Sequence, residues 1–109
     1  MIGHYLLTLT PEQEDRALTG KMRPGCYDEV QDIGPCLVGT AQCIRRHTEH
    51  VHVHNWPPFS IVVSTSVEGH YDSLCHRFGP ARVNAAIRTR ILANQARRAL
   101  QREAAHVGA

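Results

Sequence analysis

Four side chains able to hold a metal fall close together: Cys36, Cys43, His47 and His50, spaced Cys-x6-Cys-x3-His-x2-His. Thiolate sulfur and imidazole nitrogen are the tetrahedral ligands of structural zinc, but such sites usually bring a close Cys-x2–4-Cys knuckle, and none occurs here. Cys26, His52, His54, Cys75 and His76 enlarge the pool of ligands without improving the spacing. His50, His52 and His54 alternate with Val51 and Val53, so on a strand the three imidazoles share one face, neighbours roughly 6–7 Å apart. They could bind a metal in pairs or titrate together, and the plainer reading is a solvated strand edge. Cys75 beside His76 is no nucleophile–base dyad, because adjacent side chains on a helix diverge by about 100°. Without a phosphate-binding glycine loop, a nucleophile elbow or paired carboxylates, the sequence offers no catalytic residue and the expectation is a non-enzyme.

The other chemistry is that of arginine. Eleven of the twelve Lys and Arg residues are Arg, and Lys21 is the one lysine. A guanidinium grips carboxylate or phosphate in a fork that lysine lacks, although a GC-rich genome also produces this bias. The density is highest in the last third, where Arg82, Asn84, Arg88, Arg90, Arg97 and Arg98 are the candidate partner-binding residues. Two helices across Gly79-Pro80, the second rich in Arg, resemble a helix-turn-helix over 67–95, and Asn84, Arg88 and Thr89 are side chains suited to bases or phosphates. Two features oppose DNA binding. Val83 and Ile87 are out of phase with that motif, in which the apolar residue falls near Ala85, and the arginines spread around the helix wheel instead of forming one stripe.

These groups need elements to position them. The apolar residues 3–9 read as an opening strand. Thr10-Pro11-Glu12-Gln13 is a capping box with Pro at the first helical position, predicting a helix over 11–19 stopped by Gly20. Residues 21–35 read as loop. Residues 36–44, 50–54 and 59–64 read as three further strands. Thr65-Ser66-Val67-Glu68 is a second capping-box pattern, starting a helix over 67–78 with Tyr71, Leu74, Cys75 and Phe78 on one apolar face. Pro80 opens a last helix running towards 105, on which Val83, Ile87 and Ile91 form a stripe. Leu92, Ala96, Ala99 and Leu100 lie elsewhere on that wheel, so the second half is expected to reach beyond the domain, pack on another chain or fray.

Length and composition bound the rest. A chain of 109 residues supports one domain, 1–109, and 42% hydrophobic residues argue for a folded core. No apolar run reaches the roughly 20 residues of a membrane span. The first residues lack a secretory pattern, so the expected setting is the cytoplasm, with four reduced thiols. Net charge is −3 over residues 1–44 and +4 over 67–109, an acidic front and a basic back.

The opening Met1-Ile2-Gly3-His4-Tyr5-Leu6-Leu7-Thr8-Leu9-Thr10-Pro11-Glu12-Gln13-Glu14-Asp15-Arg16 resembles small actinobacteriophage proteins. So does Leu74-Cys75-x-Arg77-Phe78-Gly79-x-x-Arg82-Val83-x-x-Ala86-Ile87-Arg88-x-Arg90-Ile91-Leu92, and the two stretches cover about a third of the chain. The resemblance implies origin and size, supplies no activity, and fits the arginine bias. The expectation is therefore an α+β domain, a small sheet carrying an N-terminal helix and a C-terminal helical hairpin. Its expected role is that of a phage accessory protein, cytoplasmic in the host, needing no cofactor. It would bind a host or phage protein through the Arg-rich final helix. The alternatives are a DNA-binding regulator using 67–95 and a zinc-stabilised module on Cys36, Cys43, His47 and His50. A homodimer is a further partner state.

Overall fold

The computed structural model describes residues 2–25, 36–43 and 61–107, with side chains from 67 to 106 in the last stretch. The described residues form five helices: α1 (Ile2–Leu7), α2 (Pro11–Thr19), α3 (Leu37–Gln42), α4 (Ile61–Phe78) and α5 (Pro80–Val107). Among them there is no strand, so the expected α+β fold is replaced by an all-helical one. The 3–9 run is mostly α1, Leu37–Gln42 of the 36–44 run is α3, and residues 61–64 of the 59–64 run belong to α4, residues 44, 59 and 60 lying outside the described set. Residues 50–54 lie outside the described set.

Each reversal has a local reason. Ile2, Tyr5, Leu6 and Leu9 are buried and stand at i, i+3, i+4 and i+7, a helical period, while Leu7 between them is exposed. In α3 every residue from Leu37 to Ala41 is buried, so no face betrays the period. Cys36 caps that helix, its Sγ accepting the Gly39 N–H at 3.4 Å. Along Ile61, Val62 and Val63 the strand preference of β-branched residues yields to the helix they continue into. The second capping-box pattern therefore sits inside α4 and marks no terminus.

Two elements match their sequence signals. Thr10 accepts from the Gln13 N–H while the Gln13 side chain accepts from the Thr10 N–H, and α2 spans the expected residues. The α4–α5 hairpin turns on Gly79, whose φ of +88° is a left-handed value that favours glycine. Gly20 ends α2 for a different reason. Its φ is −75°, but a Cβ there would stand 2.5 Å from Thr40 Cγ2, so glycine lets the end of α2 close onto α3.

One hydrophobic cluster draws on all five helices, with Val83, Ile87 and Ile91 of α5 packed towards Tyr5, Leu6, Leu37, Val67, Tyr71 and Cys75. Beside it α5 turns a polar row inward: Asn84, Arg88, Gln95 and Arg98. The Tyr71 hydroxyl donates to Asn84 Oδ1 at 2.7 Å, and Asn84 Nδ2 donates to the Met22 carbonyl at 2.6 Å. Arg88 Nη2 donates to the Gly20 carbonyl at 2.8 Å. Arg98 pairs with Oε1 of Glu14, a fully buried carboxylate on α2, and Gln95 Nε2 reaches the same oxygen at 3.4 Å. Glu14 Oε2 has no partner among the described residues, so Arg98 supplies most of the compensation.

Removing one member of such a pair strands the other. We expect Arg98→Ala to lower unfolding free energy by about 2 kcal/mol, less than a fully buried pair would lose because Arg98 is itself partly exposed. Neutralising the stranded carboxylate in the double variant Arg98→Ala/Glu14→Gln should recover part of that loss, measured by urea denaturation. Additive losses from the two substitutions would contradict this coupling.

Candidate protein-docking groove

The outward sides of α1, α4 and α5 leave a groove of about 470 Å³ between them. Ile2, Gly3 and Leu6 of α1 form one wall, Leu74 and Phe78 of α4 another, and α5 closes it with Val83, Ile87 and the row Arg82, Ala86, Arg90. That row steps by four residues, so one face of the helix presents a guanidinium, a methyl and a guanidinium, the outer two roughly 12 Å apart along the axis. No acidic residue lines the groove. Phe78 is 46% exposed at its rim, and the Arg77 guanidinium carbon lies 5.1 Å from its ring centroid. The result is an apolar trough edged by positive charge.

The six partner-binding candidates divide cleanly. Arg82 and Arg90 edge the groove, and Arg97 is exposed further along α5. Asn84, Arg88 and Arg98 are turned inward and spend donors on Met22, Gly20 and Glu14. A helix-turn-helix reads bases with the first residues of its second helix. Here Asn84 is buried and Arg88 half-buried against other protein groups, so the DNA reading loses both of those side chains.

The zinc candidates are not drawn together where they can be seen. Cys36 and Cys43 cap opposite ends of α3, the first buried with its sulfur turned to the Gly39 N–H, the second exposed. His47 and His50 lie outside the described residues, as do His52 and His54. Among the described residues no three His, Cys, Asp or Glu side chains group as a metal site. Burial pushes the Cys36 thiol up to about 12, with the nearby Glu68 and Asp72 carboxylates acting in the same direction. Burial also raises Cys75, whose thiol contacts the Tyr71 hydroxyl while His76 is exposed. Both buried thiols are thus held as weakly reactive core groups.

Sequence reasoning missed the α1 wall, because residues 3–9 were read as a strand. The spacing of Ile2 and Leu6 at i, i+4 was the available signal. It also assigned Phe78 to the core face, whereas this ring stands at the groove's rim.

Thiol labelling reads this arrangement directly. At pH 8 Cys43 should react with a maleimide at least about tenfold faster than Cys36, because only a trace of a thiol with so raised a pKa is thiolate. Peptide mapping of partially labelled native protein separates the two. Equal rates would mean that Cys36 does not hold its capping position.

No helix of the described residues is long and apolar enough to cross a membrane. No family model, curated protein or solved structure matches the chain, so the groove's own geometry carries the functional argument.

Proposed function

We propose that this chain is a non-enzymatic accessory protein that binds another protein by taking an apolar, acid-flanked helix into the α1/α4/α5 groove. The observation that supports this reading is the groove itself, with apolar walls, Arg82 and Arg90 at its edge and no carboxylate in its lining. Helix-in-groove recognition uses apolar anchors one turn apart for affinity and flanking charge for orientation. A partner helix with two or three large apolar residues on one face would fill the trough. Acidic residues about two turns apart on its flank would meet the two guanidiniums. The resemblance of residues 1–16 and 74–92 to actinobacteriophage proteins is what suggests a host protein in the bacterial cytoplasm as the partner.

The test is a photo-crosslinking residue placed at Ala86, between the two arginines, in protein added to an actinobacterial lysate. A discrete protein adduct should form from position 86, resist nuclease, and be absent when the crosslinker replaces exposed Gln101 beyond the groove. Arg82→Glu/Arg90→Glu should reduce the adduct by tenfold or more, about 1.4 kcal/mol in binding, while the circular dichroism of the unbound protein stays unchanged. Undiminished crosslinking by the double variant would overturn the arginine-edged groove as the docking site. Loss of the adduct on nuclease treatment would replace the protein partner by nucleic acid.

A further inference from the structure

One side of α5, about 100° around the helix from buried Ile91, is apolar and uncovered. Leu92 is 55% exposed and Leu100 66%, and Ala81, Ala85 and Ala99 are exposed along the same side. At 100° per residue the line Ala81, Ala85, Leu92, Ala99 itself carries no charge, with Arg102 and the inward-turned Arg88 on one flank and Arg82, on the azimuth of Leu100, on the other. The one acid on this side is Glu103, exposed near the far end. That acid would repel an acidic helix of another protein laid along this line.

We propose that this face pairs with the same face of a second copy, antiparallel, with Leu92 on the two-fold axis. The sequence is self-complementary about that residue. Ala85 and Ala99 lie seven residues to either side, and Ala81 and Glu103 eleven. Seven residues fall just short of two turns and eleven just exceed three, so all five positions stay on one face. In the pair, Leu92 meets Leu92 of the second copy, Ala85 meets its Ala99, and the small residues allow the two backbones to approach closely. Leu100 packs over the second copy's Ala85. Each Glu103 arrives at the positive end of the other α5, whose first turn has no acidic residue and contains Arg82. The interface is isologous, as a closed dimer requires.

Sedimentation velocity of the full chain over micromolar to hundred-micromolar concentrations tests this. The wild type should show a concentration-dependent monomer–dimer equilibrium. Leu92→Glu sets two carboxylates against each other on the axis and should weaken the dimer by roughly a hundredfold or more. Because Leu92 is exposed in the single chain, this variant should keep the wild-type helical signal at concentrations where both are monomeric. Glu103→Lys should weaken the dimer about tenfold. A wild type that stays monomeric throughout, or a dimer that Leu92→Glu leaves intact, overturns the proposal. A dimer insensitive to Glu103→Lys overturns the antiparallel register, since that register alone places Glu103 at a helix N-terminus.

Discussion

Glu14 is a carboxylate with no exposure to water, and the arrangement of the helices follows from the need to compensate it. Burying an unpaired charge costs several kcal/mol, so α2 can lie where it does only if a cation comes to it. Arg98 does so from α5, which brings the basic end of the chain onto its acidic beginning. The same inward row continues through Arg88 to the Gly20 carbonyl and through Asn84 to the Met22 carbonyl, satisfying backbone acceptors just after α2 ends. In turn α2 carries α3, through Arg16 Nε donating to the Ala41 carbonyl at 2.9 Å and through the glycine contact at Thr40. One ion pair, Arg98 with Glu14, thus joins the acidic front of the sequence to its basic back inside the fold.

That internal use decides which arginines of α5 remain at the surface. On α5 the residues facing the core and those facing water differ by half a turn or less, so chemically identical side chains have opposite roles. Arg88 and Arg98 hold the molecule together, and Arg82 and Arg90, displaced around the wheel, edge the groove. A shallow trough built only from Leu, Ile and Phe would attract any apolar surface. In the proposed docking role the two guanidiniums would narrow the choice, favouring an acid-flanked apolar segment and repelling a basic one.

The legible parts of this chain were those with local rules. The Thr10–Gln13 box, the Gly79-Pro80 turn and the Val83–Ile87–Ile91 stripe each depend on residues within one or two turns, and each is where the sequence placed it. The sheet was the error. Short apolar runs such as 3–9 and 36–44 suit a buried strand or a buried helix equally, and only tertiary surroundings choose between them. Asn84, Arg88 and Arg98 have the composition of a recognition surface, but their partners lie 62, 68 and 84 residues away, beyond the reach of any local pattern. The groove was illegible for the same reason, since one of its walls belongs to a helix read as a strand.

The length of α5 carries the last step. Among the described residues its buried and hydrogen-bonded side chains run from Val83 to Arg98, while every side chain from Ala99 to His106 is exposed. A terminal stretch of two turns gains nothing from a core and depends on intrinsic propensity, which in water is marginal for so short a piece. Alanine at 99, 104 and 105, with arginine, glutamine and glutamate between, is a composition that favours helix. Propensity alone, however, does not call for Leu100 on the open side, nor for a neutral centre line continuing from Ala81. Both are accounted for if the projecting turns lie along another α5, where the same residues that were idle in one chain become half of a helix pair.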